Sequence, residues 1–331
     1  MLQAKIIIYP ILLQVYLYII KAYFYHLPTV LLDDQWNGLL HLISEKKCTP
    51  FIGPDAYTPW LDQNIAEKWI KQYGYPLENS HPLAKVAQFL AIKSGDNMYP
   101  KNILSRLIKE IQPPDFSLDK NRNTPYSVLA DLNLPIYITT NYDHFMEAAL
   151  KSKGKEPVSE FCRWNNYAEV AGIESKLLKK SKYQPSISQP LVYHLHGDID
   201  IPQSMILTEN DYIDFLVTLS KGYEDSVVPP IIRRTFVDTI LLFIGYSLED
   251  INFRIIFRNI IDYLGSRFQL RSIAVLLPPQ HISTDKIDQA QKYLDQYTKD
   301  MFKIQVYWGD ALAFASELRE RWYRFRNDKN Q

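Results

Sequence analysis

Pro135-Ile136-Tyr137-Ile138-Thr139-Thr140-Asn141-Tyr142-Asp143 decides the fold. Its first half is a short run of β-branched and aromatic residues, the composition of a buried strand. Its second half turns polar at once, and residues 144–150 continue with helical spacing. A buried strand running straight into a helix is the repeating unit of a parallel sheet. The arrangement recurs along the chain. Thr49-Pro50-Phe51-Ile52 ends at Gly53, Leu191-Val192-Tyr193-His194-Leu195 ends at His196-Gly197-Asp198, and Thr239-Ile240-Leu241-Leu242-Phe243-Ile244 ends at Gly245-Tyr246-Ser247. Residues 204–208, 271–277 and 302–307 read as further short strands. Helical periodicity marks 33–43, 65–70, 83–92, 101–111, 126–132, 209–219, 249–263, 285–297 and 311–325. The pattern predicts a Rossmann-like α/β fold: a parallel sheet with helices on both faces, and a helical insertion near 60–130. The lysine-rich stretch 151–190 reads as a second, irregular insertion.

The bulk composition fits one such domain. Of 331 residues, 47% are apolar and 22% charged, as in ordinary soluble globular chains. Lys plus Arg and Asp plus Glu are 37 each, so there is no basic excess to indicate direct nucleic-acid binding. A net charge near zero does little to oppose self-association. The two cysteines, Cys48 and Cys162, make no disulfide framework and are too few for a four-cysteine zinc site. They read as buried thiols in a reducing cytoplasm.

The domain signals start only at Leu31-Leu32-Asp33-Asp34-Gln35-Trp36, so residues 1–32 read as an apolar extension ahead of a domain at 33–331. Residues 6–25 reach the length of a spanning helix only by admitting Pro10, Gln14 and Lys21. They lack a small-residue cleavage site. Three readings fit: a membrane anchor, a packing or oligomerisation helix, or a translated extension upstream of the true domain start. The late onset of the domain signals favours the last.

In open parallel sheets ligands sit beyond the carboxyl ends of the strands. Four polar or glycine clusters fall there: 53–57, 141–143, 196–198 and 245–250. Gly53-Pro54-Asp55 is a tight strand-to-loop turn, or a place where backbone approaches a phosphate, although the G-x-G-x-x-G spacing is absent. Asp143 is a natural helix cap. Asn141 is either structural or orients a substrate hydroxyl or water. His194 and His196 alternate, and on a strand both would face the same side. Asp198 and Asp200 are the only third metal ligands nearby, so a polar core residue or a general base is the alternative for either histidine. Ser247 or Glu249 would cap the helix that follows Gly245-Tyr246, and the helix dipole alone explains an acid there. No Walker lysine, H-E-x-x-H or G-x-S-x-G motif occurs, which argues against P-loop, zincin and α/β-hydrolase chemistry.

Taken in order, these clusters resemble the sirtuin-like superfamily, over roughly residues 33–325. Sirtuins carry a glycine-rich NAD loop, a T-Q-N-I-D motif, a catalytic H-G and a G-T-S motif. Here the order is 51–57, Thr139-Thr140-Asn141-Tyr142-Asp143, Leu195-His196-Gly197 and Gly245-Tyr246-Ser247-Leu248. The likeness is greatest to a bacterial branch that also carries L-T-E-x-D-Y and F-I-G-Y-S-L-x-D, here 207–212 and 243–250. The resemblance implies NAD bound at the strand ends as substrate, with no metal. It makes His196 the catalytic base, has Asn141 position ribose or water, and has Asp143 support the nicotinamide-ribose pocket. Gly53, Pro54, Asp55, Thr140, Tyr142, Gly245, Tyr246, Ser247 and Glu249 would line the nucleotide. Without a zinc ribbon, NAD glycohydrolysis is expected ahead of zinc-free protein deacylation. Relatives of this kind are bacterial antiphage effectors that deplete NAD and work as homo-oligomers or with a partner ATPase or phage-sensing protein. Pro54 and Asp55 replace the usual Ala-Gly. An aspartate beside a pyrophosphate would repel it, so Asp55 points away or caps the next helix. That departure keeps a second reading open, an NAD- or ADP-ribose-sensing module without turnover.

Overall fold

The computed structural model describes residues 31–56, 61–77, 82–177, 183–219, 227–246, 272–276 and 286–329. The apolar stretch 6–25, Tyr57, Ser247, Glu249 and the helix expected over 249–263 lie outside the described residues. In chain order the elements begin with α1 (Asp33–Ser44), β1 (Cys48–Ile52), α2 (Leu61–Tyr73), α3 (Leu83–Ser94), α4 (Met98–Glu110) and α5 (Pro125–Asp131). Next come β2 (Ile136–Thr139), α6 (Phe145–Ser152), β3 (Val158–Phe161), α7 (Tyr167–Val170), β4 (Leu191–His194) and α8 (Glu209–Leu219). Last are α9 (Pro230–Asp238), β5 (Ile240–Tyr246), β6 (Ser272–Leu276), α10 (Ile287–Phe302), β7 (Ile304–Trp308) and α11 (Ala311–Lys329).

The strands form one sheet in the order β3-β4-β2-β1-β5-β6-β7, and every pairing is parallel. From β1 the chain fills one side of the sheet with β2, β4 and β3, then crosses to the other with β5, β6 and β7. The order reverses at β1 and β5, the place where open α/β sheets bind ligands.

Alternation along β5 shows why the sheet is covered twice. Leu242 and Ile244 enter one core with Trp36 of α1, Leu129 of α5, Met146 of α6 and Phe314 of α11. Leu241 and Phe243 enter the other with Phe215 of α8 and Ile232 and Phe236 of α9. Successive side chains of a strand face opposite ways, so an unbroken apolar run needs helices on both sides. Each large side chain buried this fully contributes roughly 1.5–3 kcal/mol. A third cluster joins α2, α3 and α4 through Trp69, Val86, Leu90 and Leu104 to Ile199, Met205 and Leu207 of the loop after β4. The expected helical insertion therefore sits against a loop at the carboxyl end of the sheet.

Two expectations are corrected. The segment 151–190 contains β3, which pairs with β4 from Val158↔Leu191 to Phe161↔His194. Residues 204–208 are no strand of the sheet. A 3-10 turn occupies Pro202–Ser204, and the chain then buries Met205, Ile206 and Leu207. Pro202 has no N–H for a ladder, and Gly197 has already turned the backbone at φ +94°. Cys48 and Cys162 are buried free thiols, as expected. Among the described residues no helix is long and apolar enough to cross a membrane.

Gly245 adopts φ +81°, and a Cβ there would strike the backbone of Ala56. Gly95 adopts φ +67° in open space. Gly95→Ala should therefore cost only the backbone strain, about 1 kcal/mol, whereas Gly245→Ala should cost roughly 2–4 kcal/mol through strain plus collision. Urea unfolding of the two variants checks the order, and equal losses would contradict it.

Candidate functional site at the carboxyl ends of the strands

The floor of the site is a knot of backbone and hydroxyl groups at β1, β2 and β5. The Gly53 N–H donates to the Ile244 carbonyl at 2.8 Å. The Ile52 carbonyl receives the Thr140 N–H at 3.0 Å, the Tyr246 hydroxyl at 3.1 Å and the Thr139 hydroxyl at 3.2 Å. Thr140 Oγ1 lies 2.9 Å from Tyr246 Oη. A Cβ on Gly53 would collide with the Gly245 carbonyl and the Tyr246 ring. Gly53, Thr140, Gly245 and Tyr246 are thus brought together as the sequence suggests, but Tyr246 is buried and its hydroxyl ties strands to one another. Pro54–Ala56 form a 3-10 turn directly after Gly53, with Pro54 and Asp55 half-buried in it.

Asn141 leaves the end of β2 with nearly all its polar groups engaged. Its N–H donates to Thr139 Oγ1 at 2.9 Å, its carbonyl lies 3.0 Å from His194 Nδ1, and its Nδ2 donates to the Tyr126 hydroxyl at 2.8 Å. Oδ1 is buried with no partner. Tyr142 donates its hydroxyl to the Ile206 carbonyl at 2.6 Å, so it fastens the loop after β4. Asp143 accepts the Phe145 N–H at 2.9 Å in a tight turn just before α6; the N-cap position itself is His144, so the expected Asp143 cap is corrected. Burial raises its carboxyl to about 6, against the pull of that N–H and of His194.

The two histidines part company, which corrects the expectation of a shared face. The strand ends at His194, and the turn at Gly197 sends the next imidazole elsewhere. His194 Nε2 lies 2.8 Å from Glu147 Oε1, and both side chains are buried. Burial pulls the His194 pKa down, but the charge and hydrogen bond of Glu147 outweigh it and raise it to about 9. Both ring nitrogens face acceptors, so His194 is an imidazolium. His196 instead packs edge-on against Tyr212 and Phe215 of α8, at 5.5 and 5.6 Å between ring centres. It is 5% exposed, its Nε2 has no partner, and burial lowers its pKa to about 3. His196 is a neutral imidazole, suited to accepting a hydrogen bond from a hydroxyl or water.

Four residues escaped the sequence reading. Glu147 also accepts the Ser159 hydroxyl at 2.8 Å. Its signal is an acid inside the apolar run 145–150 of a helix that must pack on the sheet. Tyr126, which holds the Asn141 amide, carries no sequence signal beyond helical spacing. His144, directly after Asp143, lies 3.0 Å from Asp198. His144, Glu147 and His194 each offer one ligand atom within 4.8 Å of the others, as do His144, Asp198 and Asp200. Within the described structure these groups satisfy one another as ion pairs. Buried Lys101 meets Asp211 at 2.7 Å, and Asp211 also accepts the N–H groups of Leu207 and Thr208. That explains the L-T-E-x-D-Y motif: it caps α8 and so seats Tyr212 and Phe215 against His196.

The His196 shift gives stability a sign with pH. Unfolded, an imidazole takes a proton near pH 6.5; folded, His196 stays neutral until about 3. Between these values the unfolded state binds more protons, and stability falls with acid by up to about 1.4 kcal/mol per pH unit. From pH 7 to pH 5 the wild type should lose roughly 2 kcal/mol more than His196→Phe in urea unfolding. Equal acid sensitivity would refute a buried neutral His196.

Several known proteins resemble the chain. The NAD(+) hydrolase ThsA of Enterococcus faecium is 24% identical over 189 residues, covering 57% of this chain and 34% of the relative. That of Cytobacillus dafuensis is 28% identical over 189 residues, covering 57% and 32%. That of Bacillus cereus (strain MSX-D12) is 23% identical over 212 residues, covering 64% and 37%. The chain therefore spans about a third of the length of these relatives. A solved Sir2 enzyme matches 89% of this chain and all of its own, but at TM-score 0.37 and 12% identity, too loosely to carry weight. The SIR2-like domain family matches residues 135–301, half of the 331 residues, from the start of β2 into α10. With β2, β4, β5 and the polar residues at their ends inside that match, the chain belongs to the SIR2-like domain family.

Proposed function

We propose that the chain hydrolyses NAD to nicotinamide and ADP-ribose at the carboxyl ends of β1, β2, β4 and β5. One observation carries the reading: Asn141 Oδ1 and His196 Nε2 are both buried and both without a partner. Leaving such an atom unsatisfied costs about 1–3 kcal/mol. Other buried atoms share that state: Trp36 Nε1 and Tyr193 Oη belong to the cores beneath the helices, and Glu147 Oε2 belongs to a carboxylate already paired with His194 through its other oxygen. Asn141 and His196 each lie two residues past a paired position, Thr139↔His194, of adjacent strands. They therefore leave the sheet at the same level, beside the strand-order reversal at β1 and β5. The names of the ThsA relatives support the choice of substrate.

The chemistry needs little from the protein. Nicotinamide in NAD is already cationic at its ring nitrogen. The glycosidic C–N electron pair departs with it, leaving a neutral nicotinamide and an oxocarbenium-like ribose. Water adds to the anomeric carbon and gives up one proton. Because Tyr126 takes the Asn141 amide N–H, Oδ1 is the atom turned to accept from that water or a ribose hydroxyl. Neutral His196 accepts from the other. Positioning of this kind supplies much of a hydrolase's rate. Asp143, with its pKa near 6, would be drawn fully into the anion by the positive nicotinamide ring.

In this reading Gly53, Thr140, Gly245 and Tyr246 form the floor under the ribose and phosphates, with Pro54, Asp55 and Tyr142 beside it; Ser247 and Glu249, also expected to line the nucleotide, lie outside the described residues. We place this NAD-binding domain at residues 33–331, and its role as NAD depletion in antiphage defence by a cytoplasmic homo-oligomer. A partner ATPase or phage-sensing protein would set it off.

Asn141→Ala and His196→Ala should each lower kcat at least about 100-fold, equivalent to roughly 2.7 kcal/mol, without unfolding the chain. Tyr126→Phe, which frees the Asn141 amide, should cost about tenfold. Nicotinamide release from NAD is the assay. Unchanged turnover removes a residue from the mechanism. Nicotinamide release only with an acyl-lysine peptide would replace hydrolysis by deacylation. ADP-ribose binding with no release from any assembled form would favour the sensor.

A further inference from the structure

Three of the four polar groups of Asn141 are pinned by different elements. Thr139 of β2 holds the N–H, Tyr126 of α5 holds the side-chain NH2, and His194 of β4 holds the carbonyl. His194 is itself held from behind. Its far nitrogen meets Glu147 of α6, which Ser159 of the edge strand β3 also contacts. The line Ser159–Glu147–His194–Asn141 thus runs across β3, α6 and β4 and ends, just past β2, on the residue whose Oδ1 has no protein partner. A buried ion pair is weak as a stabilising device, because removing two charges from water costs nearly what their attraction returns. It is good at fixing a ring: with an acceptor at each nitrogen, the imidazole has one orientation and one protonation state.

We infer that His194 is a positioning residue: held by Glu147, its Nδ1–H fixes the Asn141 backbone so that Oδ1 is presented to the reacting water or ribose. This rests on the glycohydrolase reading of the site and assigns a role to a pair that lies outside the direct contacts. His194 does not touch the substrate, and its charge is spent on Glu147.

The two ring nitrogens can be removed separately. An Asn side chain reaches the place of Nδ1 and leaves Glu147 alone; a Gln side chain reaches the place of Nε2 and leaves the Asn141 carbonyl alone. His194→Asn should be the less stable variant and the more active one. His194→Gln should keep the higher Tm yet lose at least about tenfold in kcat, with KM for NAD within about threefold of wild type. A purely structural pair predicts the reverse, with activity following Tm. If His194→Asn does not fold, His194→Gln decides alone: a folded chain with wild-type turnover overturns the inference. If wild-type chain leaves NAD intact, the glycohydrolase reading fails separately. The pair is then judged by the Asn141 side-chain amide resonances, which must shift in His194→Gln; unmoved resonances overturn it.

Discussion

The structure depends on how closely β1 and β5 approach where they end. Gly53 and Gly245 lie back to back, with no room for a Cβ on either, and Ala56 fills the space beside Gly245. That contact lets the Tyr246 hydroxyl reach the Ile52 carbonyl and Thr140 at once, joining β5, β1 and β2 beyond the last ladder hydrogen bonds. Parallel sheets buried on both faces have few places for polar side chains other than strand ends. With the central strands closed by glycines, the polar residues that follow β2 and β4 lie at the carboxyl ends of the sheet, and the helical insertion packs on the loop after β4.

The polar groups at those strand ends fall into two sets. One is engaged within the protein: Thr140, Tyr142, Tyr246, Asp198 with His144, Lys101 with Asp211, and Glu147, whose Oε1 meets His194 while its Oε2 is buried without a partner. The other, Asn141 Oδ1 and His196 Nε2, is buried and unused. The first set makes the second tolerable. The loop 197–208 is held by Tyr142, by Asp211 and by the Trp164 indole on the Ser204 carbonyl at 2.7 Å, and the His196 ring packs against Tyr212 and Phe215. Such cost, kept at strand ends by rigid surroundings, is characteristic of a binding site.

Much of this was legible in residue order alone. Unbroken apolar runs such as 240–244 demanded a sheet covered twice, and polar clusters directly after them placed the site. What could not be read was whatever depends on the third dimension. β3 is only Val158–Phe161, with Ser159 and Glu160 inside it; half-buried Ser159 bonds Glu147 and buried Glu160 bonds Arg163. Nothing in a four-residue polar strand distinguishes it from loop. The two histidines obey strand alternation on paper, but the strand stops between them, because Gly197 packs against the Ser204 backbone. Glu147 is an acid inside the apolar run 145–150, but its partner lies 47 residues away, and spacing along the chain does not name it.

The central claim is that Asn141 Oδ1 and His196 Nε2 await the same ligand. Crystals of the chain with ADP-ribose test it most directly. The account predicts the terminal ribose beyond the ends of β2 and β4, with a hydroxyl or an ordered water within about 3.2 Å of each of the two atoms. A nucleotide seated elsewhere, or one that leaves both atoms as they are, would contradict it.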